Sequence, residues 1–494
     1  MIARRPIALA TALLMAGCNM APHYVRPAMP VPQSLPQGAS YAPDTASSEP
    51  ADVAWRAFFV DDRLRRLIAL ALANNRDLRI AVANVAEARA QYRVQHADLF
   101  PTIGLNGSAT YERTPPGLGG LAGGTGTATD SAGSTTGGGT GTGAGAVSTG
   151  RSRYDIYQAS VGVSAWEVDL FGRLRNLTEA AQEQYFATQA NRDAAQTALV
   201  AELVTAWLTM AADQDRLRIA QDTAKAFGET LAITRGRSDQ GVTSDLEVRQ
   251  AQTSYEQARS DIASGTTAVA QDRNMIDLLA GTPVAGDLLP TALGKSEDTF
   301  AALPSGLSST VLLRRPDIAA AEHQLRAANA NIGAARAAFF PNISLTAAFG
   351  SLSLGLSSLF GNGSSYWSVA PSVSLPIFDF GRNKGNLRYA EASRDAMVAT
   401  YEKAVQTGFR EVADALARRG TISDQLAAQK SLVDAAHAAY TIAQGRYTEG
   451  VDPFLTTLDS QRAYYSAQQS LIATRLVRQT NTVELYRALG GGLR

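Results

Sequence analysis

The chain has 494 residues, and its 45 basic residues are balanced by 45 acidic ones, so the formal net charge is zero. This balance argues against a general electrostatic attachment to nucleic acid or anionic lipid, which needs a clustered basic excess. Mean hydropathy is −0.10, and no run of 18 uncharged, strongly apolar residues follows the first twenty, so we expect no transmembrane helix. A single cysteine excludes an intrachain disulfide and any multi-cysteine metal site.

The N-terminal residues 1–17 have the pattern of a secretory signal peptide. Two arginines precede a short apolar stretch, and two small residues come directly before Cys18. This resembles a bacterial lipoprotein signal, which implies a covalent lipid on Cys18 and, with Asn19 after it, transport to the outer membrane. The alternative is an ordinary signal peptide with an incidental cysteine. Residues 18–55 contain many prolines and are predicted to form an extended tether outside the core.

The chain carries two copies of one sequence pattern. The Phe-Pro of residues 100–101 recurs at residues 340–341, 240 residues later. The Phe-Gly-Arg of residues 171–173 recurs at residues 380–382, and this offset of 209 then holds to the C-terminal end. The first copy therefore has 31 extra residues, which fall in the Gly-, Thr- and Ser-rich stretch 117–150, a predicted extracellular loop. The predicted organisation is repeat 1 (residues 56–281), a linker (residues 282–306) and repeat 2 (residues 307–494).

Each repeat contains two segments in which apolar and small polar residues alternate. Such alternation over about ten residues, with aromatic residues nearby, is typical of transmembrane β-strands, although half-buried strands of a soluble sandwich remain the alternative. The predicted strands are residues 101–113, 154–167, 341–352 and 365–378. Four strands cannot close a membrane barrel, and an open sheet edge is not tolerated in lipid. If the strands span the membrane, the chain must therefore oligomerise.

The remaining sequence is predominantly helical. Leu199, Leu203 and Trp207 follow helical spacing, and the two longest segments contain no proline. The predicted long helices are residues 171–238, 244–280, 380–447 and 453–489, and one shorter helix precedes the strands of each repeat, at residues 56–98 and 315–338. A helix of nearly seventy residues extends about 100 Å at 1.5 Å per residue. This length suggests two antiparallel hairpins with coiled-coil packing.

Duplicated strand pairs, long helical hairpins and a lipoprotein signal together resemble the TolC-type outer-membrane factor family, in particular its OprM-like (NodT-type) lipoprotein branch. The motifs that carry the resemblance are residues 97–101, 166–173, 313–318, 445–451 and 486–492. The resemblance implies a membrane α+β fold, a homotrimer whose three times four strands form a twelve-stranded transmembrane β-barrel, continued by an α-helical tunnel in the periplasm. It also implies a lipid-anchored protein of the outer membrane that serves as a passive efflux duct, opened at its periplasmic tip.

The same resemblance implies the partners of the duct. They are a periplasmic adaptor (membrane fusion protein) and an inner-membrane pump of the RND type. The cargo would be drugs or other small molecules. Two alternatives remain: a protein-secretion duct of the same family, and, from a different class, a non-channel coiled-coil lipoprotein that scaffolds the envelope.

The family places a periplasmic gate in repeat 2, just after the turn between its long helices. Leu455, Asp459 and Arg462 follow one another at i, i+4 and i+7, so one helical stripe can face the axis. The resemblance implies Leu455 as the hydrophobic constriction, Asp459 as an acidic ring and Arg462 as the ion-pair partner of Asp459. Three carboxylates near the axis would attract cations. The alternative is a solvated surface pair, but the equivalent residues of repeat 1 carry no charge, which favours the gate: Leu246, Gln250 and Thr253.

Two further groups of residues receive roles from the resemblance. Tyr447 and Asp452 are implied to lock the closed hairpins, although TolC itself has a basic residue at the place of Asp452. The turns Gly241-Val242 and Gly450-Val451 are implied as tips on which the adaptor docks. The same glycines are also expected to end their helices in the left-handed conformation.

Catalytic motifs are missing from the sequence. The four histidines are scattered, and no Walker A segment, nucleophile elbow or dinucleotide-binding fingerprint occurs. We therefore expect no enzymatic activity, no metal, no nucleic-acid partner and no cofactor other than the lipid on Cys18.

Overall fold

The computed structural model describes residues 19–41, 54–114, 152–301 and 309–491. The signal peptide, Cys18 and the Gly-rich stretch 117–150 lie outside the described residues, as do parts of the tether and of the linker. The described chain divides into two compact units. The sheet unit comprises the described residues 19–21, 94–114, 152–178 and 332–387, and the helical unit comprises the described residues 22–41, 54–93, 179–301, 309–331 and 388–491.

The sheet unit holds one antiparallel sheet of four strands in the order β1-β2-β3-β4. The strands are β1 (Ile103–Thr114), β2 (Ser152–Glu167), β3 (Asn342–Ser353) and β4 (Ser365–Ser374). Strand β1 pairs with β2 and β3 pairs with β4 inside each repeat, while the pairing of β2 with β3 joins repeat 1 to repeat 2. A β-bulge between Val163 and Trp166 places one extra residue in β2.

One face of this sheet is apolar and exposed. Large apolar side chains occupy alternate positions of the strands and are between 67% and 80% exposed: Ile103, Leu105, Phe349, Trp367 and Val373. Strands β1 and β4 form the two edges, so their outer backbone groups have no partner strand among the described residues. Both the apolar face and the two edges are therefore available for contacts outside the chain.

The strand predicted over residues 365–378 is shorter in the structure, where β4 ends at Ser374. Pro376 has no N–H group to donate to a neighbouring strand, and β4 lies at the edge of the sheet. The side chains of Ile377 and Phe378 are consequently 93% and 76% exposed. The other strand boundaries differ from the predicted ones by at most two residues.

Long helices dominate the rest of the described chain. The helices are α1 (Trp55–Phe58), α2 (Asp62–Asn74), α3 (Arg76–Ala97), α4 (Arg173–Asp239), α5 (Asp245–Ala280), α6 (Ser296–Thr299), α7 (Pro316–Ala337), α8 (Arg382–Thr448) and α9 (Phe454–Ala488). Helices α4 and α8 each have 67 residues, and the bounds of the four long helices differ from the predicted ones by at most two residues. We call α4 with α5 hairpin 1, and α8 with α9 hairpin 2.

Helix α4 contains one 18-residue window with a mean hydropathy of 1.2, so by length and composition alone it could cross a membrane. Half of this window is buried inside the structure. The helix also contributes Leu203, Val204 and Leu208, all fully buried, to the main hydrophobic core. Packing in a protein core therefore accounts for its apolar character.

The helix predicted over residues 56–98 is three helices, α1, α2 and α3, in the structure. Asp61 caps α2, because its carboxylate accepts hydrogen bonds from two backbone N–H groups of the first turn. Asn75 is extended after α2, and its Oδ1 accepts from the N–H of Leu78 in α3 at 2.8 Å. Its Nδ2 donates to the carbonyl oxygen of Leu279 at 2.9 Å. These capping side chains interrupt the apolar periodicity and end one helix before the next begins.

The tether, residues 18–55, was predicted to lie outside the core, and this is wrong for its described residues 22–35. Arg26 Nη2 lies 2.8 Å from Glu322 Oε2 of α7. Four apolar side chains of the tether pack against a buried cluster of the helical unit around Tyr401: Tyr24, Met29, Val31 and Leu35. Prolines keep the backbone extended, but the side chains between them still bury apolar surface, so this segment is part of the packed structure.

Two carboxylates of hairpin 1 lie side by side. Asp272 of α5 faces Asp213 of α4, which is paired with Arg216 Nη1 at 2.6 Å. Burial, and then the charge of Asp213, raises the pKa of Asp272 to about 6. Between the ordinary aspartate pKa and this value, the folded protein binds a proton that the unfolded chain does not bind. Stability therefore falls as the pH rises through this window.

We expect Asp272→Asn to raise the thermal midpoint at pH 7.5, because the amide removes the buried charge next to Asp213. The gain should shrink towards pH 4.5, where the wild-type carboxyl is already protonated in the folded state. Thermal unfolding followed by circular dichroism at both pH values measures this. Asp424→Asn, at an exposed position of α8, is the matched control. An equal gain at both pH values would contradict the assignment.

Candidate functional site: the ends of the two helical hairpins

The turns that close the two hairpins have the same backbone geometry. Gly241 and Gly450 have left-handed φ angles of 72° and 74°. In each turn the glycine N–H donates to the carbonyl three residues back and the next N–H to the carbonyl five residues back, at 2.8 to 3.0 Å. This is the Schellman arrangement that ends α-helices, and it needs a residue without a Cβ. The side chains that follow, Val242 and Val451, are 70% and 61% exposed.

A small apolar cluster near these turns holds the two hairpins together; we call it the hairpin joint. Its buried side chains come equally from both hairpins: Leu231, Val248 and Ala251 from hairpin 1, and Tyr447, Phe454 and Leu458 from hairpin 2. Phe454 is 1% exposed, and its ring centroid lies 5.4 Å from that of Tyr447. Separating the hairpins would expose all of these side chains to water.

Tyr447 links the hairpins through its ring. The guanidinium of Arg237, in hairpin 1, lies 4.7 Å from the centroid of the Tyr447 ring, a cation–π contact. Arg237 Nη2 also donates to the carbonyl oxygen of Thr448 at 3.4 Å. The Tyr447 hydroxyl is buried and has no hydrogen-bond partner in the described part of the chain. The structure thus brings the predicted locking tyrosine into the contact between hairpins, with an apolar and cation–π contact instead of a hydroxyl bond.

Asp452 makes its contact inside hairpin 2. Arg446 Nε lies 2.5 Å from Asp452 Oδ2 and Arg446 Nη2 lies 2.8 Å from Oδ1, so the guanidinium binds the carboxylate with both nitrogens. These hydrogen bonds lower the pKa of Asp452. Within the described residues Asp452 has no contact of this kind with hairpin 1, so it stabilises the turn of its own hairpin.

The predicted gate residues all lie near the N-terminal end of α9, but they do not contact one another as predicted. Leu455 is 49% exposed, and Asp459, one turn later, is also exposed. The predicted ion pair between Asp459 and Arg462 is wrong. Arg462 Nε and Nη2 donate to the Ser254 hydroxyl at 3.1 and 2.9 Å, and Asp459 has no ion-pair partner among the residues that the structure describes. Ser254 is buried in α5, and the guanidinium of Arg462 satisfies its hydroxyl oxygen across the contact between hairpins.

Arg237 was not predicted to contact hairpin 2, although a comparison of the two repeats indicates this contact. Arg237 and Arg446 are equivalent positions at the offset of 209, but the equivalent of Asp452 is the neutral Thr243. Arg446 is therefore held by the carboxylate of its own turn. Arg237 has no such carboxylate in hairpin 1, and it contacts hairpin 2 instead.

A second missed contact lies further along the same two helices. Tyr465 of α9 donates its hydroxyl hydrogen to Asp261 Oδ2 of α5 at 2.9 Å. Burial, together with this hydrogen bond, raises the pKa of Tyr465 to about 12. Hairpin 2 is thus tied to hairpin 1 by a polar contact in addition to the hairpin joint. Within the described ranges, no group of three or more His, Cys, Asp or Glu side chains could hold a metal ion.

Comparison with known proteins gives one consistent result. The outer membrane efflux protein family matches residues 67–282 and 307–491. The chain is 44% identical over 483 residues to the toluene efflux pump outer membrane protein TtgC of Pseudomonas putida, which covers 98% of this chain and 94% of that protein. It is 38% identical over 485 residues to the cation efflux system protein CusC of Escherichia coli, with 97% and 98% covered.

A solved structure supports the same assignment at the level of the fold. The open state of the MtrE outer membrane channel of Neisseria gonorrhoeae matches with a TM-score of 0.81 at 35% identity. The match covers 97% of this chain and 99% of that one. The predicted relationship to the TolC-type family is thereby confirmed: the chain belongs to the outer membrane efflux protein family.

Proposed function

We propose that this protein is the outer-membrane channel of a tripartite efflux pump, a passive duct that exports drugs or other small molecules. The observation that carries the proposal is the sheet, whose apolar face is exposed and whose two edge strands lack partners among the described residues. In lipid, such edges must be paired. Three copies would supply twelve strands and close one barrel, and the long helices of the two hairpins would continue it as a periplasmic tunnel.

The proposed partners follow from the role of a duct. A periplasmic adaptor would dock on the exposed turns Gly241-Val242 and Gly450-Val451, and an inner-membrane pump of the RND type would supply the energy. A covalent lipid on Cys18 would hold the N-terminus at the outer membrane. TtgC is named for toluene efflux and CusC for cation efflux. Because relatives of one fold are named for such different cargoes, we assign substrate choice mainly to the pump.

We place the gate of the duct at the end of α9. Leu455 and Asp459 lie one turn apart and are both exposed in the single chain. In a trimer, three copies of each side chain would face the axis, as an apolar constriction and an acidic ring. The pairing of Arg462 with Ser254 supports this role for Asp459, because it leaves the Asp459 carboxylate without a neutralising partner in the described chain.

Single-channel recording of the purified protein in planar bilayers tests the duct and its gate together. We expect Leu455→Ala to raise the conductance, because it widens the constriction. We expect Asp459→Asn to lower the cation-to-anion permeability ratio about 2-fold or more, because it removes the acidic ring. Asp414→Asn, at an exposed position of α8, should leave the ratio unchanged. If no variant conducts, the duct is contradicted and the envelope scaffold becomes the better explanation.

Deletion of the protein in its host tests the efflux role separately from the channel. We expect the deletion strain to tolerate lower concentrations of several chemically unrelated compounds in a drug-susceptibility panel. The wild-type chain should restore this tolerance, and a chain lacking both turns should not. This result would assign the loss of tolerance to the assembled pump. Unchanged tolerance to all compounds would contradict efflux.

A further inference from the structure

Two phenylalanines of the sheet unit stack between the repeats. The rings of Phe171, in repeat 1, and Phe340, in repeat 2, lie 4.8 Å apart between centroids and 21° from parallel. Their equivalents in the other repeat are Phe380, at the offset of 209, and Phe100, at the offset of 240. These two rings are 91% and 60% exposed. One contact between the repeats is therefore made inside the chain, while its counterpart is not.

The pairing of the strands shows the same asymmetry. Strands β2 and β3 pair across the junction of the repeats, whereas their equivalents, β4 and β1, are the two edges of the sheet. Ile103 of β1 pairs with Val163 of β2, and in the second repeat Ile343 of β3 pairs with Val373 of β4. Equivalent residues of β1 and β3 are therefore 240 positions apart. Equivalent residues of β4 and of β2 before its bulge are 210 positions apart. After the bulge in β2 the offset becomes 209, because the bulge contains one extra residue.

We propose that β4 of one protomer pairs with β1 of a second copy in a register copied from the β2–β3 pairing; this rests on the proposed trimer. Trp166 pairs with Leu345 inside the chain, so Leu375 lies opposite Leu105 of the partner subunit. By the same transfer Val373 lies opposite Gly107 of the partner subunit, and Val369 opposite Tyr111 of the partner subunit. Phe380 then stacks on Phe100 of the partner subunit, as Phe171 stacks on Phe340.

The chemistry of the two edges fits this register. Leu105 and Tyr111 of β1 are 80% and 62% exposed, and Val369 and Leu375 of the opposite edge are 57% and 48% exposed. The register places these four side chains on one face of the joined sheet as two directly opposite pairs, Leu105 with Leu375 and Tyr111 with Val369. A slip by one residue would put each of them opposite the small polar face instead. Because apolar side chains meet on the lipid side, the register also agrees with a barrel wall.

The segment after β4 extends the same register. Inside the chain, the N–H of Val168, just after β2, donates to the carbonyl oxygen of Ile343 at 2.8 Å. The equivalent donor is Ile377, which is 93% exposed in the single chain. In the proposed register the Ile377 N–H meets the carbonyl oxygen of Ile103 of the partner subunit. Residues 375–377 would thus continue β4 once the second copy is present.

Cysteine cross-linking tests the register. Leu105→Cys is combined in turn with Val373→Cys, Leu375→Cys and Ile377→Cys, and the trimers in detergent are oxidised with copper phenanthroline. Residues directly opposite have Cα atoms about 4.5–5.5 Å apart, within the range of a disulfide, while diagonal neighbours are about 7–8 Å apart. We expect covalent dimers and trimers on non-reducing gels for the pair with Leu375→Cys, about 10-fold more than for the other two pairs.

The controls separate the register from the trimer. The parent chain shows any background from Cys18, and Val163→Cys with Ala347→Cys, a pair observed inside the chain, must form an intrachain disulfide. Stronger cross-linking through position 373 or 377 would overturn the register while the trimer stands. No cross-link in any pair, with trimers on native gels, would overturn the β4–β1 pairing. Monomers on native gels would overturn the trimer as well.

A double-mutant cycle tests the aromatic contact. Phe100→Ala and Phe380→Ala should each lower the melting temperature of the trimer. The double variant should melt no lower than the less stable of the two single variants, because each change removes the same stack. Phe360→Ala, at a position 84% exposed outside the proposed contact, should add its effect independently. Additive shifts for Phe100→Ala and Phe380→Ala would overturn the stack.

Discussion

Replacing Arg315 with alanine is expected to lower the free energy of unfolding by about 3 kcal/mol, because it removes a buried guanidinium that makes charge-assisted hydrogen bonds to two carboxylates. The side chain of Arg315 is 5% exposed. Its Nη2 lies 2.7 Å from Asp317 Oδ2 and 2.8 Å from Glu411 Oε2, and its Nη1 donates to the carbonyl oxygen of Ala488 at 2.9 Å. One guanidinium therefore connects the start of α7, the middle of α8 and the end of α9. Gly408 leaves the space that the guanidinium occupies.

Chemical denaturation followed by circular dichroism measures this loss. Arg410→Ala is the matched control, since Arg410 is on the same helix as Glu411 and pairs with Asp414 while both side chains are 67% exposed. Such an exposed pair contributes about 0–1 kcal/mol. Arg315→Lys should give an intermediate loss, because a lysine keeps the charge but not the planar fork. Equal losses for Arg315→Ala and Arg410→Ala would show that burial does not govern this cluster.

Replacing Phe454 with alanine is expected to open the hairpin joint and to raise the single-channel conductance several-fold. The side chain is 1% exposed and packs between hairpin 1 and Tyr447 of hairpin 2. Removing a buried phenylalanine costs about 3–5 kcal/mol. Part of this cost falls on the contact between the hairpins, because the cluster that buries Phe454 includes Leu231, Val248 and Ala251 of hairpin 1. The closed arrangement should therefore lose more stability than an arrangement with separated hairpins.

The measurement is the same bilayer recording that tests the gate, with Leu432→Ala as the control, because Leu432 is a half-exposed leucine of α8 outside the joint. We expect the control to conduct like the wild type. Hydrogen exchange adds a structural readout: amides of residues 446–458 should exchange faster in Phe454→Ala, while those of the sheet unit should not change. A variant that loosens the joint in hydrogen exchange without a change of conductance would contradict its role in closing the duct.

Much of the secondary structure could be predicted from the sequence. Strict alternation located the strands to within a few residues, and the absence of proline over nearly seventy residues predicted α4 and α8. The clearest misses are Asn75 and Ser374. Asn75 splits a predicted helix because its side chain bonds to a carbonyl 204 residues away, at Leu279. Strand β4 stops at Ser374 because it lies at the edge of the sheet and Pro376 has no N–H group to donate to a neighbouring strand.

The candidate site could be predicted only in part. The turn glycines follow from motifs that are local in sequence, whereas the role of Tyr447 between the hairpins came from the resemblance to the TolC-type family. The partner of Arg462 does not: Ser254 is 208 residues away, and no periodicity in α9 indicates it. The docking of residues 22–35 also went unpredicted, since proline content indicates an extended backbone without indicating what that backbone packs against.

The sequence by itself determined the kinds of elements, their order and the duplication of their pattern, because periodicity and turn residues act between near neighbours along the chain. The tertiary structure decided which hairpin each arginine contacts, where the tether lies and which strands remain at the edges. These choices depend on distances between residues hundreds of positions apart. A guanidinium binds whichever buried oxygen the packing places within reach, and here that oxygen belongs to Ser254 instead of Asp459.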